Sequence, residues 1–267
     1  MRNRFERGAG RGNTPATHSM RRSNLVITAF VLTAAATLLG QTTPAPTPNQ
    51  CTQPVPRDGQ AHERFLALNE RVKESGSQAE VIFVGDSITQ GWEGNGKEVW
   101  EKYYAPRHAI NLGIGSDHTQ HVLWRLENGN LEGLKPKVAV VLIGVNNVPD
   151  TNNTPRQVLE GVTAVVNRIR EKLPETKVLL LGMFPFREDF NLQRAKALQV
   201  NQALRKLDDG KTIFFLDIGH LFIQSDGKIS RDIMRDFLHP TAEGYRIWAE
   251  AMEPKLAELI GDKPVAP

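Results

Sequence analysis

One cysteine, Cys51, stands in 267 residues. The chain can therefore form no intrachain disulfide, and no cysteine-rich spacing suggests a zinc site. Long apolar runs are equally scarce: residues 25–40 are rich in Leu, Val and Ala, but they number sixteen and include several threonines. That falls short of the roughly 20 residues a membrane span requires. Charge of one sign is not in large excess either, at +3 overall with a pI near 9.0. The excess is local. Residues 1–22 hold six arginines against Glu6, a net +5, and residues 23–40 hold no charge, which leaves −2 for everything after position 40. A basic partner-binding domain is thereby excluded, and nucleic acid loses its support as a partner.

What is present reads as a leader, a linker and one domain. Arg21 and Arg22 followed by the apolar stretch resemble the basic and hydrophobic regions of an export signal, with Met20 as an alternative start. No cysteine follows Leu38-Leu39-Gly40, so lipid attachment is not expected. The expected divisions are 1–40 as export leader, 41–58 as a Pro/Thr-rich extended linker, 59–262 as the folded domain and 263–267 as a tail. Export to the periplasm or outside follows from this reading, or membrane anchorage if the leader is uncleaved. With 40% hydrophobic and 24% charged residues, a packed core is expected.

Within the domain, short aliphatic runs alternate with helical periods. Residues 81–84, 109–112, 138–143, 178–181 and 213–216 are continuous apolar runs suited to parallel strands covered on both faces. Thr154-Pro155-Arg156-Gln157 is a capping box with proline at the first helical position, and Val158, Val162, Val165, Ile169 and Leu173 mark the helix face that follows. Tyr245, Trp248, Met252, Leu256 and Ile260 form a second stripe. The expectation is a three-layer α/β domain with a parallel sheet of about five strands.

Ligands of open parallel sheets bind beyond the carboxyl ends of the strands. The residues there are Gly85-Asp86-Ser87, Gly113-Ile114-Gly115-Ser116-Asp117 and Gly144-Val145-Asn146-Asn147. Nearer the C-terminus, Asp236 and His239 are three residues apart, as on one helical turn. A serine hydroxyl needs a base to take its proton as it attacks, and His239 is the candidate, oriented by Asp236. The backbone N–H groups of Ser87 and Ser116 and the amide of Asn146 can supply an oxyanion hole.

These blocks resemble the SGNH/GDSL hydrolase superfamily. Within it, the run from His121 to Leu131, continued by Lys135-Pro136-Lys137, is similar to the catalytic subunits of intracellular platelet-activating-factor acetylhydrolase. The resemblance implies a flavodoxin-like α/β/α fold and a cofactor-free, metal-independent esterase mechanism carried by Ser87, Asp236, His239 and Asn146. The family usually has glycine where this chain has Ser116. The expected function is removal of short acyl groups, acetyl first, from carbohydrate esters by an exported enzyme. The alternatives are short-chain lipid or phospholipid esters, or a non-catalytic carbohydrate-binding protein on the same fold. Expected partners are a small ester or an acetylated carbohydrate, and the similar subunits imply a homodimer.

Several patterns are decoys. Gly91–Lys97 matches the start of a phosphate loop but is followed by Glu98 rather than Ser or Thr. Gly113-x-Gly115 lacks the third glycine of a dinucleotide fingerprint, and no G-x-S-x-G elbow occurs. His118 and His121 are read as surface or supporting residues rather than metal ligands. Trp92, Trp100 and Trp124 are read as core rather than sugar platform. The run Phe184-Pro185-Phe186-Arg187 is expected to border the substrate pocket.

Overall fold

The computed structural model describes residues 48–267. The leader expected over 1–40, and the first part of the expected linker, lie outside these described residues.

Five strands form one parallel sheet: β1 Val81–Gly85, β2 Ile110–Gly113, β3 Val138–Leu142, β4 Lys177–Leu181 and β5 Ile213–Leu216. Their order is β2-β1-β3-β4-β5, the doubly wound arrangement with a switch point between β1 and β3. Every residue of β1, β2 and β3 is buried. Aliphatic runs in those strands are thus explained by helices on both faces, whereas the edge strand β5 is only half-buried.

The helices are α1 Gln60–Ser75, α2 Ser87–Gln90, α3 Lys97–Tyr103, α4 Thr119–Glu127, α5 Pro155–Lys172, α6 Leu192–Leu204 and α7 Ala242–Ile260. Helices α4, α5 and α6 pack side by side, and α3 packs on α7. The α5 capping box forms as the sequence indicates: the Thr154 side chain takes the Gln157 N–H while Gln157 reaches back to the Thr154 N–H. Its stripe Val158, Val162, Val165 and Ile169 is fully buried, as are Trp248, Met252 and Leu256 of α7.

Trp92 sits at the centre of an aromatic cluster, its ring centroid 4.5 Å from that of Tyr245 and 4.8 Å from that of Trp248, with Phe83 and Tyr104 around it. The apparent phosphate loop is part of this core. A Cβ at Gly96 would lie 2.6 Å from the Trp92 ring and 2.8 Å from Tyr245, so its glycine serves packing.

The segment expected to be a free linker differs from expectation where it is described. Residues 50–52 make a short 3-10 turn against α4 and α5, and Cys51 is fully buried. The Thr119 hydroxyl donates to the Cys51 carbonyl at 2.7 Å, and Asn49 donates to the Gln157 carbonyl and the Glu160 carboxylate. The proline-rich composition remained silent about this because the anchors are single polar side chains and one thiol, not an apolar stripe.

Candidate active site

Strand β1 ends at Gly85, whose hydrogens leave room for a crossing of backbones. A Cβ there would lie 2.4 Å from the Leu142 carbonyl of β3, and one at the neighbouring Gly113 would lie 2.3 Å from the Gln90 nitrogen of α2. These close approaches bring the first residue of α2 onto the carboxyl edge of the sheet. That residue is Ser87. Asp86 caps the helix, its carboxylate accepting the Ile88 N–H at 3.0 Å, and the Tyr245 hydroxyl of α7 donates to the Ile88 carbonyl at 2.6 Å.

His239 reaches Ser87 from the chain segment before α7. Its Nε2 is 2.8 Å from Ser87 Oγ, and its Nδ1 is 2.6 Å from Asp236 Oδ2. With the carboxylate at Nδ1, the ring proton belongs there and Nε2 is the acceptor facing the serine hydroxyl. The expected helical turn is absent. Asp236 and His239 instead flank an irregular turn in which Phe237 adopts φ +59°. The other carboxylate oxygen, Oδ1, accepts the backbone N–H groups of Leu238 and His239, at 3.1 and 2.8 Å. Burial draws the Asp236 pKa upward, but the bonds from the His239 ring and backbone outweigh it and hold the carboxyl below its ordinary value.

The second block folds back towards Ser87. Gly115 is fastened by its N–H to Gln90 Oε1 at 2.6 Å and by its carbonyl to Arg57. Ser116 follows at φ +62°, and no described residue accepts its N–H. Asn146, beyond β3, gives one amide hydrogen to the Asp117 carbonyl at 2.9 Å, which leaves the other for a ligand. Ser87, as first residue of α2, has no acceptor for its N–H within the helix. All five residues singled out from the sequence thus lie on one edge. Three of the four described non-glycine residues with positive φ, namely Ser116, Arg187 and Phe237, also border this edge, and such strain persists only where surroundings over-determine it.

Two spaces open beside the turn that carries Asp236 and His239. A pocket of about 120 Å³ is lined by Val145, Asn146, Pro149, Phe186, Arg187, Asp236, Phe237 and Leu238. A wider cleft of about 450 Å³ is bounded by Asn95, Arg235, Asp236, His239, Thr241 and Ala242. Of the run 184–187, Phe186 and Arg187 line the pocket, while Phe184 stacks on Phe222 in the core.

Three supporting residues escaped the sequence reading. Buried Arg125 donates from Nε to Asp117 at 2.8 Å, from Nη1 to Asn130 at 2.8 Å and from Nη2 to the Gly85 carbonyl at 2.9 Å. It ties the end of β1 to the second block. Its signal was a charge on the apolar face of α4, three residues from Val122. Arg57 and Gln90 gave no signal, since their partners at Gly115 are backbone atoms. His121 accepts the His118 N–H and so caps α4, and burial pushes its pKa down to about 4. Asp86 is fully buried beside Ser87, and its second oxygen has no partner among the described residues. Burial pushes its pKa up to about 7.

The GDSL-like Lipase/Acylhydrolase family model matches residues 83–247. The platelet-activating factor acetylhydrolase IB subunit alpha1 of Homo sapiens is 39% identical over 216 residues, covering 79% of this chain and 91% of that protein. Two solved structures share the fold. A GDSL-like lipase from Bacteroides thetaiotaomicron has a TM-score of 0.59 at 20% identity, covering 74% of this chain and 97% of the other. An acetylxylan esterase from Geobacillus stearothermophilus has a TM-score of 0.54 at 17% identity, covering 72% and 98%. The expectation of an exported or membrane-anchored enzyme is corrected by the curated relatives, which are platelet-activating factor acetylhydrolase IB subunits, the class that the sequence resemblance gave as intracellular. The described residues contain no helix long and apolar enough to cross a membrane.

Proposed function

The chain belongs to the GDSL-like lipase/acylhydrolase family, an ester-hydrolysing enzyme family, and we propose that it cleaves short-acyl esters of the acetylhydrolase type with Ser87 as nucleophile. Ser87 Oγ attacks the ester carbonyl while its proton passes to His239 Nε2. The resulting oxyanion is received by the N–H groups of Ser87 and Ser116 and the free amide hydrogen of Asn146, each such donor being worth about 3 kcal/mol in the transition state. His239 then returns the proton to the departing alkoxide, leaving an acyl group on Ser87. Water attacks this acyl-enzyme with His239 again as base, which releases the acid and restores the serine. Asp236 keeps the imidazole in the required tautomer and stabilises its charged form.

The observation that carries this reading is the unbroken chain Asp236–His239–Ser87 at 2.6 and 2.8 Å. A short acyl group suits a pocket of about 120 Å³, well below the 300–1,000 Å³ of ordinary ligand sites. Lipid-type esters are favoured over the carbohydrate esters first expected. The acetylhydrolase relative is 39% identical, whereas the xylan esterase shares only the fold. Trp92 is core, and neither Trp100 nor Trp124 lines either space. The test is hydrolysis of p-nitrophenyl acetate by wild type and Ser87→Ala, with a fall of about 10⁴-fold or more expected in kcat. Equal rates would refute the role of Ser87 and favour a non-catalytic protein.

A further inference from the structure

Ser87 and the loop that carries Ser116 are joined through one turn of helix. Helix α2 is four residues long, and its first and last residues, Ser87 and Gln90, are three apart and share a face. The second block crosses that face at Gly115, where a Cβ would lie 3.2 Å from Gln90 Oε1 and 3.9 Å from Ser87 Cβ. Gln90 itself is held by its backbone. A Cβ at Gly113 would lie 2.3 Å from the Gln90 nitrogen, and the buried Asn111 side chain donates to the Thr89 carbonyl at 3.0 Å while accepting the Gly113 N–H at 2.8 Å. The ends of α2 and β2 therefore form one tied corner, and the Gln90 side chain projects from it to the loop.

Gly115 and Ser116 bring two neighbouring N–H groups to this edge, and they differ in what they hold. The Gly115 N–H donates to Gln90 Oε1 at 2.6 Å, whereas no described residue accepts that of Ser116. The peptide unit carrying the Ser116 N–H also carries the Gly115 carbonyl, which accepts from Arg57 Nη1 at 2.6 Å. Carbonyl and N–H point in opposite directions across a planar trans peptide, so the Ser116 N–H is turned away from Arg57. Gly115 is the permissive joint between these two fastenings, free to rotate in the absence of a Cβ. Gln90 removes that freedom on one side of the joint, and Ser116 is kept at φ +62° on the other.

We propose that Gln90 is a positioning residue of the oxyanion hole. Its side-chain oxygen takes the Gly115 N–H out of the hole and sets the Ser116 N–H towards it, in fixed register with Ser87 on the same helical turn. This rests on the esterase reading and deepens it. Gln90 touches no reacting atom. It acts on a donor whose value is realised when negative charge develops on the substrate oxygen, so its loss is read in kcat rather than in KM.

The experiment uses Gln90→Met, which is close in size but lacks the acceptor oxygen, with Gln90→Ala as a second variant. For each, kcat and KM are measured with p-nitrophenyl acetate, together with Ki for a short trifluoromethyl ketone. Addition of Ser87 Oγ to that ketone places a negatively charged oxygen where the tetrahedral intermediate carries its own. Because Ki is read against each variant's own uninhibited rate, a partly unfolded preparation does not alter it. The expected result is a fall in kcat of about fivefold or more with KM nearly unchanged, and a rise in Ki by a similar factor. A smaller fall in kcat, or a fall that Ki does not follow, would overturn the proposal, while Ser87-dependent hydrolysis by the wild type leaves the esterase reading standing. A wild type without Ser87-dependent hydrolysis would overturn both.

Discussion

Asp86 offers a perturbation whose magnitude can be worked from its surroundings. Its carboxyl group is fully buried, one oxygen holds the Ile88 N–H, and the other has no partner. Burial, and secondarily the nearby Asp117, push its pKa up to about 7 from an ordinary 3.8. A raised carboxyl pKa means that the folded protein keeps a proton which the unfolded chain has already released. Between those two values the folded state binds more protons, so stability is highest in acid and falls as pH rises towards 7. Each pH unit across that interval costs about 1.4 kcal/mol. Between pH 5 and pH 8 the loss through this one group amounts to roughly 2–3 kcal/mol.

Asp86→Asn keeps an acceptor for the Ile88 N–H and does not titrate. Urea unfolding of both proteins at pH 5, 6, 7 and 8 should therefore show the variant gaining on the wild type by roughly 2–3 kcal/mol across the range, with equal m-values. Any constant offset from the substitution itself cancels in this comparison. Parallel stability curves, or a wild type that gains on the variant as pH rises, would refute the reasoning.

Two further outcomes are expected. Ser116→Gly removes a side chain from a left-handed position that costs L residues about 1–2 kcal/mol, partly offset by the greater freedom of unfolded glycine. A small rise in Tm with kcat maintained is the result, and a tenfold fall in kcat would show that the Ser116 side chain takes part in the reaction. Arg125→Met removes the buried fork between Gly85, Asp117 and Asn130 and leaves the buried Asp117 carboxylate with Arg57 as its one remaining arginine partner. Denaturant titration should show a loss of about 3–5 kcal/mol, accompanied by lower kcat/KM with Arg125→Lys recovering part of both; an unchanged midpoint would mean that the network is replaceable.

Most of the sheet was legible because the inner parallel strands β1 and β3 are buried on both faces and so write themselves as uninterrupted apolar runs. The observed ends differ by only a residue or so, with β2 starting at Ile110 and β3 ending at Leu142. The placement of the candidate site residues was legible through topology: parallel strands send their carboxyl ends to one edge, and Ser87, Ser116 and Asn146 each follow such an end. The conformation around Asp236 was not, since a spacing of three fits a helical turn and equally a loop whose carboxylate captures two N–H groups. Arg57 and Gln90 were hidden for another reason. The bonds that they make to Gly115 end on its backbone, which carries no side-chain signature.

The docking of residues 49–57 bears on where the catalytic unit begins. The family match starts at position 83, yet Arg57 holds the Gly115 carbonyl and Asp117, and Cys51 accepts a bond from Asn147, the neighbour of Asn146. Two of the three proposed oxyanion donors therefore stand on loops fastened by chain that the family's shared region omits. Such a strap lies outside the common catalytic blueprint, so sequence change in it can retune the oxyanion loops without altering any motif residue. Differences in activity among proteins that share every block can arise there, outside the segment 83–247 that the family model matches.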